Sequence, residues 1–232
     1  MQRQGAPPSE YLKAVLDKDA EKARSIVMTT LQERHSLLEA YQVMAEAQVR
    51  VGELWEKNVI GIADEHFATD LALQLVQLLS EKALPFRRRS SGTALLCCVE
   101  GEYHFVGVAM LAELLRDAGL SVQLLGPDQS FSGILEAVRK SSEGVDLICL
   151  SVTMPFNVPN LVKTLKLIRG EAALKEVPVL VGGNLPGPYK TEELLYDDSG
   201  NAKLADCVSS NFGEALKYAT SLIERKSSRA NG

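Results

Sequence analysis

Between residues 93 and 208, five short apolar runs alternate with amphipathic stretches, and that alternation limits the fold more than any other feature. The runs fall at 93–99, 121–125, 147–151, 178–181 and 206–208; the helical stretches fall at 105–118, 131–140, 157–169, 191–196 and 212–224. Strands this apolar, with a helix after each, are covered on both faces and pair in parallel. The pattern predicts a Rossmann-like, flavodoxin-like sheet of five parallel strands with flanking helices, in the spatial order 2-1-3-4-5. Gly119 is placed to stop the first helix, and Gly126-Pro127-Asp128 to turn the chain after the second strand.

Residues 9–84 follow a different grammar. They hold no proline, and only Gly52 and Gly61 interrupt them. Tyr11, Leu12, Val15 and Leu16 form one apolar face, and Leu37, Leu38, Tyr41, Met44 and Ala45 another. Leu71, Leu75, Leu78 and Leu79 recur at the same three- and four-residue steps. Short connections between four such helices predict an antiparallel bundle. The fold class is therefore α followed by α/β: residues 1–8 a disordered lead-in, 9–84 a four-helix bundle, 85–92 a linker and 93–232 the sheet domain. The linker's Arg87, Arg88 and Arg89 read as a solvated surface rather than an anion site.

A formal net charge of −5 argues against broad electrostatic binding to nucleic acid or an anionic membrane. No apolar run approaches the roughly 18 residues that span a bilayer, and residues 1–10 carry no apolar signal segment, so a cytoplasmic protein is expected. Cys97, Cys98, Cys149 and Cys207 sit in apolar runs without zinc-site spacing and read as small buried hydrophobes.

Three strand ends carry the candidate chemistry. His104, one of three histidines, follows the first strand directly. In an open parallel sheet, ligands bind at the carboxyl ends of the strands. Glu102 lies two residues upstream, near enough to accept a proton from one ring nitrogen and leave the other for a metal. Gly107 removes a side chain where a bulky ligand must come near. Ser151 and Thr153 end the third strand, and Gly182 and Gly183 the fourth. Neither a Gly-x-Gly-x-x-Gly nor a Walker sequence occurs, which argues against dinucleotide and nucleoside triphosphate sites. His35 reads as an exposed residue at a helix junction. Asp197-Asp198-Ser199-Gly200 reads as a solvated turn without calcium-loop spacing.

Taken in order, Glu102-x-His104-x-x-Gly107, Ser151-x-Thr153 and Gly182-Gly183 behind a helical bundle resemble the cobalamin-binding module of methionine synthase and corrinoid proteins. The resemblance covers residues 9–224. It implies that His104 is the lower axial ligand of cobalt, replacing the cofactor's own base, and that Glu102 holds its other nitrogen. It implies that Ser151 and Thr153 meet the displaced nucleotide tail while Gly107, Gly182 and Gly183 leave room for it. Tyr103, Phe105 and Val106, within the same stretch, are counted as cofactor-binding.

A second motif, Trp55 followed by Glu65-His66 after nine intervening residues, is similar to the bundle signature of light-sensing adenosylcobalamin-dependent regulators of the CarH and AerR types. By that likeness Trp55, Glu65 and His66 cover the upper face of the corrin, with the bundle as its cap. Glu56 stands where those sensors carry a cobalt-capturing histidine. The expectation is a sensory protein binding adenosylcobalamin, a photoreceptor acting on a transcription regulator or other protein partner, without direct DNA or membrane binding; a homo-oligomer is compatible with it. The alternative is a corrinoid methyl carrier of a methyltransferase system, with methylcobalamin. Such carriers continue the histidine motif with Ile-Gly-Lys-Asn, where this chain has Val106-Gly107-Val108-Ala109. A third reading is a flavodoxin-like module with no corrinoid.

Overall fold

The computed structural model describes residues 9–83, 92–184, 196 and 203–230, with side chains to 226. The chain divides into two compact units, residues 1–83 and 84–232.

The first unit contains α1 (Glu10–Leu16), α2 (Ala20–Arg34), α3 (Leu37–Glu56) and α4 (Ile62–Ala83). Side-chain caps start the first three: Ser9 Oγ accepts from Leu12 N, Asp19 Oδ1 from Lys22 N and Ser36 Oγ from Glu39 N. Each satisfies a backbone donor that the first helical turn leaves without a partner. In the first turn of α4, Asp64 Oδ2 accepts from Gly61 N at 3.0 Å and its Oδ1 pairs with Lys18. His35 ends α2 in the left-handed conformation, φ 50°, and is exposed. Tyr11, Tyr41, Met44 and Leu79 fill the interior. Tyr41 Oη donates to Val76 O at 3.1 Å and Gln48 Nε2 to Ala68 O at 2.8 Å, so α3 and α4 run antiparallel. Gly52 interrupts nothing: α3 passes through it, and a methyl group there would meet open space.

The second unit contains β1 (Thr93–Val99), α5 (Val106–Asp117), β2 (Ser121–Gln129), α6 (Phe131–Lys140), β3 (Leu147–Ser151), α7 (Val158–Gly170), β4 (Val179–Gly182), β5 (Cys207–Val208) and α8 (Phe212–Ala230). The strands form one sheet in the order β2-β1-β3-β4-β5, all neighbours parallel. β1 and β3 are buried at every residue, while edge strands β2 and β5 are only half-buried, which departs from cover on both faces at every strand. Leu95, Ile148, Leu161, Leu165 and Val181 pack one face, and Leu96, Leu111, Leu115, Cys149 and Leu180 the other.

Two expectations change. Gly126-Pro127-Asp128 does not turn the chain after a five-residue strand. β2 continues through it to Gln129 with register shifts opposite Leu96, Cys97 and Val99. Pro127 is tolerated there because an edge strand does not need its N–H. The helix expected at 191–196 lies outside the described residues apart from Tyr196, which forms an antiparallel bridge with Lys203. The lead-in at 1–8, the turn at 197–200 and most of the linker also lie outside them.

The amino-terminal edge of the sheet is tied by ion pairs. Asp146 accepts from Thr93 N and pairs with Lys226 of α8. Arg169 of α7 donates to the carbonyls of Leu204, Lys175 and Val177 and to Asp206 Oδ2, which also accepts from Val179 N. The opposite, carboxyl-terminal edge is left to loops.

Candidate functional site

The turn after β1 starts with Glu102 N donating to Val99 O at 2.9 Å, and Gly101 adopts φ +82°, which lets the chain reverse. That reversal drives the Glu102 side chain inward, where it is 0% exposed. An isolated buried carboxylate is costly, so its partners decide whether it stays charged. Oε1 accepts from His104 N at 3.0 Å and from the His104 ring Nδ1 at 2.5 Å. Oε2 accepts from Thr153 N and Met154 N, both at 2.9 Å, and from Asn157 Nδ2 at 3.1 Å. Burial alone would push this carboxyl upward; the His104 ring and the backbone donors of Met154, Thr153 and His104 outweigh it and hold it well below the usual carboxylate range.

With an anionic carboxylate on Nδ1, the neutral His104 ring carries its proton there and presents the Nε2 lone pair. The ring is half-exposed at 51%. Asp128, missed as a site residue by the sequence reading, braces the same loop from β2. Its Oδ1 accepts from Gly101 N at 2.8 Å and its Oδ2 from Tyr103 Oη at 3.0 Å, while its own N donates to Glu102 O.

The structure brings most of the expected residues of this unit to one edge. Tyr103 is exposed, Phe105 and Val106 are half-buried at the start of α5, and a Cβ on Gly107 would meet nothing within 4 Å. Ser151 is buried opposite Gly182 across the β3–β4 pair, and Thr153 is half-buried. Gly183 has a reason of its own: at φ +106°, a Cβ would sit 1.9 Å from Val152 O. The fold therefore requires that glycine with or without a ligand. Exposed Phe156 lies beyond β3, unmarked by the sequence reading.

In the helical unit, Trp55 is 41% exposed at the end of α3, near exposed Val59 and Ile62 in sequence. Glu65 Oε1 accepts from Thr69 Oγ1 at 2.9 Å, and His66 Nε2 lies 3.7 Å from Glu65 Oε2 with its ring mostly in solvent.

Cys97, Cys98 and Cys149 are buried, and burial raises all three thiols, that of Cys98 to about 12. They are not nucleophiles at neutral pH. Among the described residues no cluster of His, Cys, Asp and Glu is assembled to hold a metal ion by itself. A donor set of one oriented imidazole beside an open glycine instead fits a metal that arrives in its own macrocycle, and the exposed aromatic Tyr103 next to it fits a broad, partly apolar ring.

A B12 binding domain model matches residues 92–208, and a second B12 binding domain model matches residues 9–80. The chain belongs to the B12-binding domain family. Corrinoid binding is thus the property of the family that both units match, and the reading without a corrinoid falls.

Dimethylamine corrinoid protein 1 of Methanosarcina acetivorans is 26% identical over 182 residues, 78% of this chain and 80% of that protein. Dimethylamine corrinoid protein 2 of the same organism is 23% identical over 223 residues, 94% of this chain and 98% of that protein. The HTH-type transcriptional repressor CarH of Myxococcus xanthus is 32% identical over 146 residues, 61% of this chain and 46% of that protein. The monomethylamine corrinoid protein of Methanosarcina barkeri shares the fold, with a TM-score of 0.74 at 18% identity over 91% of this chain and 96% of that one.

These matches correct the functional expectation. The photoreceptor and transcription-regulator reading rested on Trp55, Glu65 and His66, a short local pattern, whereas the relatives that align with 78% and 94% of the chain are dimethylamine corrinoid proteins. The missing lysine after Gly107 does not weigh against them. Val108 is 4% exposed and packs on the sheet beside Leu111 and Ala112, so an apolar side chain there serves the core. No helix among the described residues is long and apolar enough to cross a membrane.

Proposed function

We propose that this chain is the corrinoid-carrying subunit of a methyltransferase system, working between a methyltransferase partner that delivers a methyl group and one that removes it. The observation that carries the reading is the alignment with a dimethylamine corrinoid protein along nearly the whole of both chains. When bound, the corrinoid supplies a cobalt centre that accepts and gives up the methyl group. The chain's own residues hold and orient that centre. His104 Nε2 is assigned as the lower cobalt ligand, and buried, anionic Glu102 keeps the ring from rotating away. Gly107, Ser151, Thr153, Gly182 and Gly183 are assigned to the cofactor's tail, with Tyr103, Phe105 and Val106 beside the corrin. Trp55, Glu65 and His66 are assigned to the helical unit's own part in corrinoid binding, since that unit matches a B12-binding model by itself. The cofactor form that suits this work is methylcobalamin-like, with no need of an adenosyl group.

The test is to reconstitute the chain with hydroxocobalamin, reduce it, add iodomethane and pass each form through a desalting column. A carrier is expected to retain about one corrinoid per chain in the oxidised, reduced and methylated forms. Release of the corrinoid on reduction or methylation would overturn the reading.

A further inference from the structure

We propose that the outer face of α7 is the seat of a protein partner that lays an acidic amphipathic helix along it. Where that partner docks is independent of what it does with a methyl group.

One face of α7 is settled: Leu161, Leu165 and Ile168 are wholly buried against the sheet. On the outer face Pro159, Val162, Lys163, Lys166 and Leu167 recur at three- and four-residue steps and, with Val158, line an open groove of about 580 Å³. The outward face of a surface helix is ordinarily polar. Here Leu167 is 40% exposed, and Phe156, in the 3₁₀ turn Pro155–Asn157 before α7, is 69% exposed. Phe156 lies two residues after Met154, whose N–H holds Glu102, so the stripe starts beside the sheet edge that carries the site. Every residue that lines the groove belongs to α7, which gives it a single wall. Small-molecule sites enclose their ligands, and this face encloses nothing. The occupant must bring the second wall, and Pro159 to Leu167 spans about 12 Å of helix axis, room for about two turns of an apposed helix.

Charge selects the kind of helix. The chain carries −5 overall, yet between Asp146 and Glu171 it has no acidic residue and three basic ones, Lys163, Lys166 and Arg169. Arg169 turns to the carbonyls of Leu204, Lys175 and Val177 and to Asp206, which leaves the two lysines as the charge of the groove. Glu171, the next acid along the chain, pairs with Arg139 of α6 at 3.8 Å. Lysine stems widen the apolar surface while their ammonium groups stay in water at its rim. The complementary surface is therefore an apolar stripe bordered by Asp or Glu. A second copy of this chain fits less well, because a two-fold interface would set Lys163 and Lys166 against their own counterparts.

The experiment titrates the corrinoid-loaded full chain, labelled with nitrogen-15, with two synthetic peptides of about 18 residues that share one amphipathic pattern, one built of Leu and Glu and the other of Leu and Lys. Amide resonances of residues 156–167 are expected to move with the Glu peptide, at an affinity about 5-fold or more above that for the Lys peptide and falling as salt rises. The double variant Lys163→Glu/Lys166→Glu, which alters two exposed side chains and leaves the core intact, is expected to reverse that preference. Equal affinity for the two peptides, movement confined to other surfaces, or no movement would overturn the proposal. A wild-type dimer in sedimentation velocity that the double variant dissociates would also overturn it, by making the occupant a second copy. Flotation with phosphatidylserine vesicles that the double variant abolishes would overturn it in favour of a membrane.

Discussion

Glu102 is wholly buried and His104 half-exposed, and between them they turn a flexible, protonatable side chain into a fixed donor. His104→Ala is expected to abolish histidine-ligated absorption in the reconstituted protein while leaving far-UV circular dichroism unchanged, because the ring packs no core. Replacement of Trp55 by Ala is expected to lower corrinoid affinity, read by equilibrium dialysis, without altering that lower-ligand spectrum. Glu102 and His104 were legible in the sequence because they lie two residues apart directly after a strand. Their supports were not, because Asn157 meets Glu102 across 55 residues and Asp128 meets Tyr103 across 25. Nothing local in the sequence pairs an asparagine after a proline with a carboxylate in the turn after another strand.

The strand ends set what each element tolerates. Gly183 approaches Val152 so closely, and at so positive a φ, that Gly183→Ala should cost on the order of 3 kcal/mol or more in chemical denaturation of the cofactor-free chain. At the other edge, burial raises the Asp206 carboxyl, but the Val179 N–H and the Arg169 guanidinium prevail and hold it below its ordinary value. The folded chain thus binds that proton less tightly than the unfolded chain. The stability it contributes is fully present above the ordinary carboxylate range, about pH 4, and is lost as pH falls through the lower folded value. Asp206→Asn is expected to flatten that acid limb of stability in denaturation measured at stepped pH. In the helical unit, Tyr41→Phe should cost about 1 kcal/mol by removing the bond to Val76 O. The helices and central strands were readable from periodicity because their burial follows it. β2 was read short because Gly-Pro-Asp signals a turn locally, and only pairing with β1 shows that an edge strand absorbs it as a bulged continuation.

For the molecule as a whole, both units match B12-binding models, and the overall order of helical unit and parallel sheet was legible because the first segment keeps a helical period and the second alternates apolar runs with amphipathic stretches. The use made of the cofactor was not. Trp55, Glu65 and His66 pointed to a light sensor, yet a motif of three residues constrains a ligand face rather than the fate of the ligand. The relative that aligns with 94% of the chain is a dimethylamine corrinoid protein instead. Everything in the account depends on one histidine nitrogen reaching cobalt. The direct measurement is electron paramagnetic resonance of the protein loaded with cob(II)alamin, prepared once with ordinary histidine and once with histidine labelled by nitrogen-15 in the ring. The account predicts that the nitrogen splitting changes from triplets to doublets on labelling, and that the change disappears in His104→Ala. Triplets that persist in the labelled protein would mean that the cofactor's own base holds the cobalt, and would contradict it.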